Sequence, residues 1–97
     1  MKVITICGSM KFKDEMIEIA EQMTLDGNVV LLPIFSDSNS ITEEELLMLG
    51  KMHKEKIAMS TSVFIVNIDG YIGNSTKSEI EYAESLNKEI IYYSELI

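Results

Sequence analysis

The sequence predicts an α/β domain in which parallel strands alternate with helices. Two observations predict this class: short runs rich in β-branched apolar residues, and stretches between them whose apolar residues recur at helical spacing. The apolar runs occupy residues 3–7, 29–32, 63–66 and 89–93. Because strands that alternate with helices pair in parallel through right-handed crossovers, residues 1–97 are expected to form one domain.

The first apolar run is followed by a helical pattern. Gly8 breaks the strand, and apolar residues then recur from Phe12 to Met23 with Lys, Asp and Glu between them. Gly27 stands where glycine commonly ends a helix. Pro33 ends the second apolar run, because proline cannot donate a backbone hydrogen bond within a sheet.

A second helix is expected after a polar loop at residues 34–41. Thr42 and Glu45 have the spacing of a capping box, in which each side chain accepts a hydrogen bond from the other residue's backbone N–H. The helix should run to about residue 60, with Gly50 as a point where it can bend or divide. Its core-facing stripe is expected to contain Leu46, Leu49, His53 and Ile57.

The third helix follows a glycine-containing loop at residues 69–74 and is expected at residues 75–86. Thr76 and Glu79 have capping-box spacing here too. Glu79 should then lie in the first turn. The apolar face of this helix is expected to contain Ile80, Ala83 and Leu86.

The order of elements favours a single Rossmann-like (flavodoxin-like) three-layer domain whose four strands follow the order 2-1-3-4. In this order the chain reverses its direction of winding between strands 1 and 3. Open parallel sheets bind ligands at such a switch point, beyond the carboxyl ends of the strands. The loops that follow strands 1 and 3 are therefore the candidate binding loops.

The charge of the chain excludes one class of partner and leaves another open. The net charge is −8 and the eight basic residues are all Lys, whereas proteins that bind DNA or RNA present a basic face. A small phosphorylated ligand is compatible with this charge, because backbone N–H groups, hydroxyls and one Lys can hold a phosphate. Solubility accounts for the acidic excess.

Cysteine and histidine are too few to predict a disulfide or a metal centre. Cys7 is the single cysteine and His53 the single histidine, so no metal and no other cofactor is expected. Cys7 is interpreted as a small core residue in preference to a nucleophile, and His53 as a core or surface histidine in preference to a catalytic one. The sequence has no recognisable signal peptide and no membrane-length apolar stretch, which predicts a cytoplasmic protein without membrane contact.

The first candidate loop joins strand 1 to helix 1 and reads Cys7-Gly8-Ser9-Met10-Lys11. Gly8 allows close approach of the backbone to a ligand, Ser9 offers a hydroxyl, and Lys11 adds a positive charge. The free N–H groups at the start of the helix offer an anion site. An ordinary strand-to-helix turn with an exposed Lys is the alternative interpretation.

The second candidate loop joins strand 3 to helix 3. Its glycines leave room near the expected site, and its hydroxyls and free N–H groups can either cap the helix or hold a ligand oxygen. Its tyrosine can stack on a base or cover the core. The glycine spacing of both loops differs from the dinucleotide fingerprint and from the P-loop. The candidate residues are Asp69, Gly70, Tyr71, Gly73, Asn74, Ser75 and Thr76.

Together these features resemble the nucleoside 2-deoxyribosyltransferase family and the related 2′-deoxynucleoside 5′-phosphate N-hydrolases. The resemblance covers nearly the whole chain. It rests on the Cys-Gly-Ser-apolar-basic loop at residues 7–11, on Glu79 followed four residues later by Ala83, and on Asn87-Lys88 before the last strand. The segment at residues 70–79 resembles a compact subgroup of the family.

The resemblance implies that Glu79 is a nucleophile, which attacks the anomeric carbon, expels the base and forms a glycosyl ester. It also implies that residues 7–11 contact the nucleotide, that the helix N-terminus keeps Glu79 ionised, and that the chain forms a homodimer or higher homo-oligomer through helices 2 and 3. Family members carry further carboxylates where this chain has Gly73 and His53-Lys54-Glu55, and Asp69 is the candidate replacement.

Two other functions stay open at this level. One is a non-catalytic module that senses or sequesters a nucleotide, and the other is an unrelated small-molecule role on the same fold. Release of free base would indicate the enzyme. Stabilisation by a ligand without turnover would indicate the binding module, because a ligand that binds only the folded state stabilises it.

Overall fold

The computed structural model describes residues 1–36 and 39–96, which form a parallel sheet flanked by helices. Each described strand pairing is parallel, and the strand order is β2-β1-β3-β4. The predicted fold class and strand order are confirmed. The strands are β1 (Val3–Gly8), β2 (Val29–Leu31), β3 (Ser62–Val66) and β4 (Glu89–Tyr92), and the helices are α1 (Lys13–Leu25), α2 (Glu43–Met59) and α3 (Asn74–Ser85).

The core lies on both faces of the sheet because successive side chains of a strand point to opposite sides. Along β1, Ile4 and Ile6 pack toward α1, whereas Cys7 packs toward α2 and α3. β3 is buried along its whole length, as a central strand covered on both faces should be. The side of α1 buries Ile4, Ile6, Phe12, Met16, Ala20, Phe64 and Val66, and the opposite side buries Cys7, Ile57, Val63, Ile65, Ile80 and Ala83.

The start of α2 follows the predicted capping chemistry. The backbone N–H of Glu45 donates to Thr42 Oγ1 at 3.1 Å, and the backbone N–H of Thr42 donates to Glu45 Oε1 at 2.9 Å. The helix then continues through Gly50 to Met59 without division. The polar loop before it is described except at residues 37 and 38, which lie outside the described residues.

Two predictions about α3 are wrong. The helix begins at Asn74 with Gly73 as its N-cap, so Thr76 is the third residue of the helix and is buried, and no capping box forms at residues 76–79. Leu86 is 39% exposed, because the helix ends at Ser85 and Leu86 is its C-cap. Glu79 is therefore the sixth residue of α3 and lies beyond its first turn.

The amino-terminal half of α2 is less covered than the apolar pattern predicted. His53 and Ile57 are buried as expected, but Leu46 is 57% exposed. Leu46 and Leu49 face a cavity instead of the sheet. Among the helices of the described ranges, none has both the length and the apolar composition that a membrane crossing requires.

Candidate functional site

A cavity of about 680 Å³ opens beyond the carboxyl ends of β1 and β3, at the predicted switch point. One wall is the β1 loop, a second is the start of α3, and the third is α2. This volume lies within the range of roughly 300–1,000 Å³ that is typical of small-molecule sites. A second cavity of about 520 Å³ lies along α1 and shares no described lining residue with the first.

The β1 loop contributes Gly8, Ser9 and Met10 to the cavity wall. Packing requires glycine at position 8, because an added Cβ would lie 3.1 Å from Met16 Sδ and 3.2 Å from both Cβ and the carbonyl oxygen of Val66. The Ser9 hydroxyl accepts a hydrogen bond from the backbone N–H of Lys11 at 3.3 Å. Its own proton is still available for a ligand oxygen.

The α3 wall contributes Gly73, Asn74, Ser75 and Thr76, and one turn later Glu79. Burial raises the pKa of Glu79 to about 7, against the lowering effects of the Cys7 thiol and the Lys54 charge. The helix N-terminus was expected to keep this carboxylate ionised, but Glu79 lies beyond the first turn, where the effect of the helix dipole is weak, and burial favours its protonated form.

Cys7, His53 and Glu79 meet at this wall, where His53 and Glu79 line the cavity and Cys7 lies behind them. Cys7 comes from β1, His53 from α2 and Glu79 from α3, and one donor atom of each lies within 4.8 Å of the other two. Cys7 Sγ and His53 Nε2 are 3.4 Å apart. Sequence reasoning assigned Cys7 and His53 separately to the core, and the fold joins them to the candidate nucleophile.

The protonation of this cluster follows from its burial. Desolvation raises the pKa of the Cys7 thiol, and the charge of Glu79 raises it further, so the thiol keeps its proton and can donate it toward the carboxylate. Burial, and next the charge of Lys56, lower the pKa of His53 to about 4, so its ring is neutral at pH 7. The buried His53 Nδ1 has no hydrogen-bond partner among the residues that the structure describes.

The two lysines near the site have different positions. Lys56 lines the cavity, and its Nζ donates a hydrogen bond to the Leu32 carbonyl oxygen at 2.7 Å. Lys11 is outside the described cavity lining, and its Nζ lies 3.4 Å from the centroid of the Tyr71 ring. This is a cation–π arrangement. Phe12 packs edge-on against Tyr71, with ring centroids 6.1 Å apart.

The structure brings together only part of the predicted site. Asp69 and Gly70 form a tight turn with positive φ values of 55° and 78°. Asp69 and Tyr71 are exposed, and Asp69, Gly70, Tyr71 and Lys11 are all absent from the described lining of the cavity. The predicted residues that do line it are Gly8, Ser9, Met10, Gly73, Asn74, Ser75, Thr76 and Glu79, with Cys7 directly behind.

The α2 wall was missed as part of the site. His53 and Lys56 lie three residues apart, and such residues share one helix face. That spacing was the available signal, but the apolar stripe around them indicated core packing. Most of the remaining lining residues of α2 and the preceding loop are apolar: Pro33, Ile34, Ile41, Leu46, Leu47, Leu49 and Met52.

Comparison with known proteins adds no family assignment. No protein-family model matches this chain, and no curated protein is significantly similar to it. The function must therefore be argued from the site itself.

Proposed function

We propose that this chain cleaves or transfers the N-glycosidic bond of a nucleoside or nucleoside 5′-phosphate, with Glu79 as the nucleophile. One observation carries the proposal. Glu79 is the only carboxylate among the described residues that line the switch-point cavity. The resemblance of the sequence to nucleoside 2-deoxyribosyltransferases assigns the same residue to the same role.

The chemistry suits a carboxylate at this position. In its ionised form, Glu79 attacks the anomeric carbon while the bond from that carbon to the base nitrogen breaks, and the base takes the bonding electron pair. The carboxylate stabilises the cation-like transition state and then forms a glycosyl ester. Water or a second nucleobase cleaves this ester and regenerates Glu79. Hydrolysis and transfer thus share their first step.

The remaining walls fit the parts of such a substrate. Apolar side chains of α2, including Leu46 and Met52, offer a surface for a nucleobase. Ser9, Asn74 and Ser75 offer polar groups for the sugar. Lys56 offers a positive charge inside the cavity for a 5′-phosphate. We place the activity in the cytoplasm, where nucleotides are available and a lone thiol such as Cys7 stays reduced.

Cys7 supports Glu79 as a positioning residue in this proposal. Its thiol is held in the protonated form and faces the carboxylate, so a hydrogen bond from Sγ stabilises the ionised form of Glu79. His53 Nε2 contacts the same sulfur at 3.4 Å. The pair limits where the carboxylate can point.

A second candidate function is nucleotide binding without turnover. Glycosidases generally use two carboxylates, whereas the described lining of this cavity has one, and Asp69 lies outside it. A module that only senses or sequesters a nucleotide would need the apolar wall and the polar loops but no nucleophile.

One experiment separates the two functions. Purified protein, with a chelator present, is incubated with a panel of nucleosides and 5′-phosphates, including the 2′-deoxy forms, and free base is measured by chromatography. The enzyme should release base, and Glu79→Gln should reduce that rate by several orders of magnitude because no ester can form. The matched control is Glu81→Gln, since Glu81 is an exposed carboxylate of the same helix.

Two results would contradict the enzymatic proposal. The first is base release by Glu79→Gln within tenfold of the rate of the unmodified protein. The second is a ligand-dependent rise in Tm with no base release from any member of the panel, which would favour the binding module.

A further inference from the structure

Three side chains with different donor atoms converge behind the cavity. One ligand atom each of Cys7, His53 and Glu79 lies within 4.8 Å of the others. A tetrahedral zinc site has bonds of about 2.3 Å to sulfur and about 2.0 Å to nitrogen, which sets neighbouring sulfur and nitrogen ligands roughly 3.5 Å apart. The Cys7 Sγ to His53 Nε2 separation is 3.4 Å. This pair already has the spacing of one edge of such a site.

We propose that Cys7, His53 and Glu79 bind one zinc ion, with the fourth coordination position open to the cavity. Glu79 would complete the set through a side-chain movement of about 1 Å, since ligands of such a site lie roughly 3.5 Å or less apart. The carboxylate lines the cavity, so an ion can enter from that side. Cys7 is fully buried behind the cavity, and His53 is 5% exposed at its lining.

The charges of the cluster match a divalent ion. A Cys7 thiolate, a neutral His53 ring and a Glu79 carboxylate carry two negative charges, which zinc neutralises in a buried place. The thiol proton passes to solvent as the zinc–sulfur bond forms. Sulfur and imidazole ligands favour zinc over magnesium or calcium, which prefer oxygen ligands alone.

His53 presents its Nε2 to the cluster, 3.4 Å from Cys7 Sγ, and a neutral imidazole nitrogen is a common metal ligand. The ring is 5% exposed.

The proposal goes beyond glycosidic cleavage and describes a separate form of the protein, because a Glu79 carboxylate bound to zinc cannot attack an anomeric carbon. Its test needs no substrate. Tag-free, metal-free protein is titrated with cobalt(II), which takes zinc sites and reports its ligands by absorption. We expect saturation at one equivalent, a near-ultraviolet thiolate-to-cobalt band and intense visible bands of four-coordinate cobalt, all removed by added zinc. Because Cys7 is the only cysteine, the near-ultraviolet band identifies its sulfur without any mutation.

Variants then test the remaining ligands. Glu79→Gln should weaken zinc and cobalt binding at least tenfold, whereas Glu81→Gln, on the exposed face of α3, should bind as the unmodified protein does. Cys7→Ser should lose the near-ultraviolet band. If this core variant fails to fold by circular dichroism, the spectrum of the unmodified protein and the two glutamate variants still decide the matter.

Two outcomes would overturn the zinc site. One is a titration of the unmodified protein without a saturable thiolate band. The other is equal affinity of Glu79→Gln and Glu81→Gln for the ion. Neither outcome bears on base release, which is measured with chelator present, so the two proposals can fail separately.

Discussion

Glu79 has to serve two physical demands at once. Its carboxylate lines the cavity, where a substrate would meet it, yet it is buried enough that its pKa is raised to about 7. The protonated and the ionised forms of Glu79 therefore coexist near neutral pH. The proposed attack needs the ionised form, and the Cys7 thiol is the group that favours that form by hydrogen bonding.

This pKa predicts the pH dependence of the reaction in metal-free protein. A nucleophile works when deprotonated, so kcat/KM for base release should rise with pH through about 7 and level off above it. Initial rates across buffers of constant ionic strength give this profile. A rate that falls through the same range would indicate that Glu79 acts instead as a general acid.

The lysines predict where a 5′-phosphate binds. Lys56 lines the cavity, whereas Lys11 stacks on Tyr71. A charge-assisted hydrogen bond contributes roughly 1.5–3 kcal/mol, which is about tenfold or more in KM. We expect Lys56→Met to raise KM by that factor for 5′-phosphates and little for nucleosides.

Lys11→Ala is the comparison for this prediction. It should have the smaller effect if Lys56 is the phosphate contact, and the larger one if the sequence-based assignment of Lys11 holds. Equal effects of each variant on nucleotides and nucleosides would remove the phosphate contact from both lysines.

Among the elements, close packing against α1 and β3 fixes the position of the carboxyl end of β1. Gly8 ends β1 beside Val66 of β3, and both Met16 and Val66 occupy the space that a Cβ would need. Gly8→Ala should therefore lower the free energy of unfolding by about 1–3 kcal/mol, a usual cost of overpacking. Denaturant unfolding followed by circular dichroism measures this change.

Gly50→Ala is the matched control for the same measurement. Gly50 lies inside α2, and an added Cβ would meet nothing within 4 Å. Since alanine is favoured over glycine by about 1 kcal/mol in a helix interior, this variant should be as stable as the parent or more stable. Equal destabilisation by both substitutions would contradict the packing role of Gly8.

The elements also show what the sequence could predict. Strands and helices were predictable because the strands are continuous apolar runs, whereas the helices have apolar residues at helical spacing. The start of α2 was predictable because Thr42 and Glu45 form its capping box. The N-cap of α3 was mispredicted because Thr76 and Glu79 have capping-box spacing, three residues after the actual N-cap, Gly73, which makes no side-chain capping hydrogen bond. Spacing alone does not show whether a capping box forms.

For the whole molecule, the site was predictable only where the loops after β1 and β3 form it. Gly8 and Ser9 follow from the strand order, since parallel strands bring their carboxyl ends to one edge, whereas Glu79 was assigned from the resemblance to the family. The contribution of α2 depends on how that helix lies across the cavity. His53 and Lys56 line the cavity because of that packing. The apolar periodicity of the helix does not predict how the helix packs there.

The exposed apolar surface of α2 leads to the last prediction, that the chain is a homodimer. Leu46, Leu47, Met48 and Met52 are each at least 50% exposed.

The charges of α2 suit the same interface. The helix starts with Glu43, Glu44 and Glu45 and carries Lys51 and Lys54 further along. Two copies of α2 packed antiparallel around a two-fold axis would bring opposite charges together and cover these apolar side chains, so that the partner copy closes the side of the cavity lined by Leu46, Leu47 and Met52. Light scattering at micromolar concentration should give about 22 kDa, twice the chain mass of 11.0 kDa.

A pair of leucine variants tests whether α2 forms that interface. Leu47 is 69% exposed on α2, and Leu25 is 75% exposed at the end of α1. Leu47→Glu should convert the dimer to an 11.0 kDa monomer. The glutamates of the two copies would lie close together near the two-fold axis, within an apolar interface, and their like charges would repel. Leu25→Glu adds the same charge elsewhere and should leave the mass unchanged. A monomeric parent protein would exclude the dimer, and dissociation by both variants would exclude α2 as its specific interface.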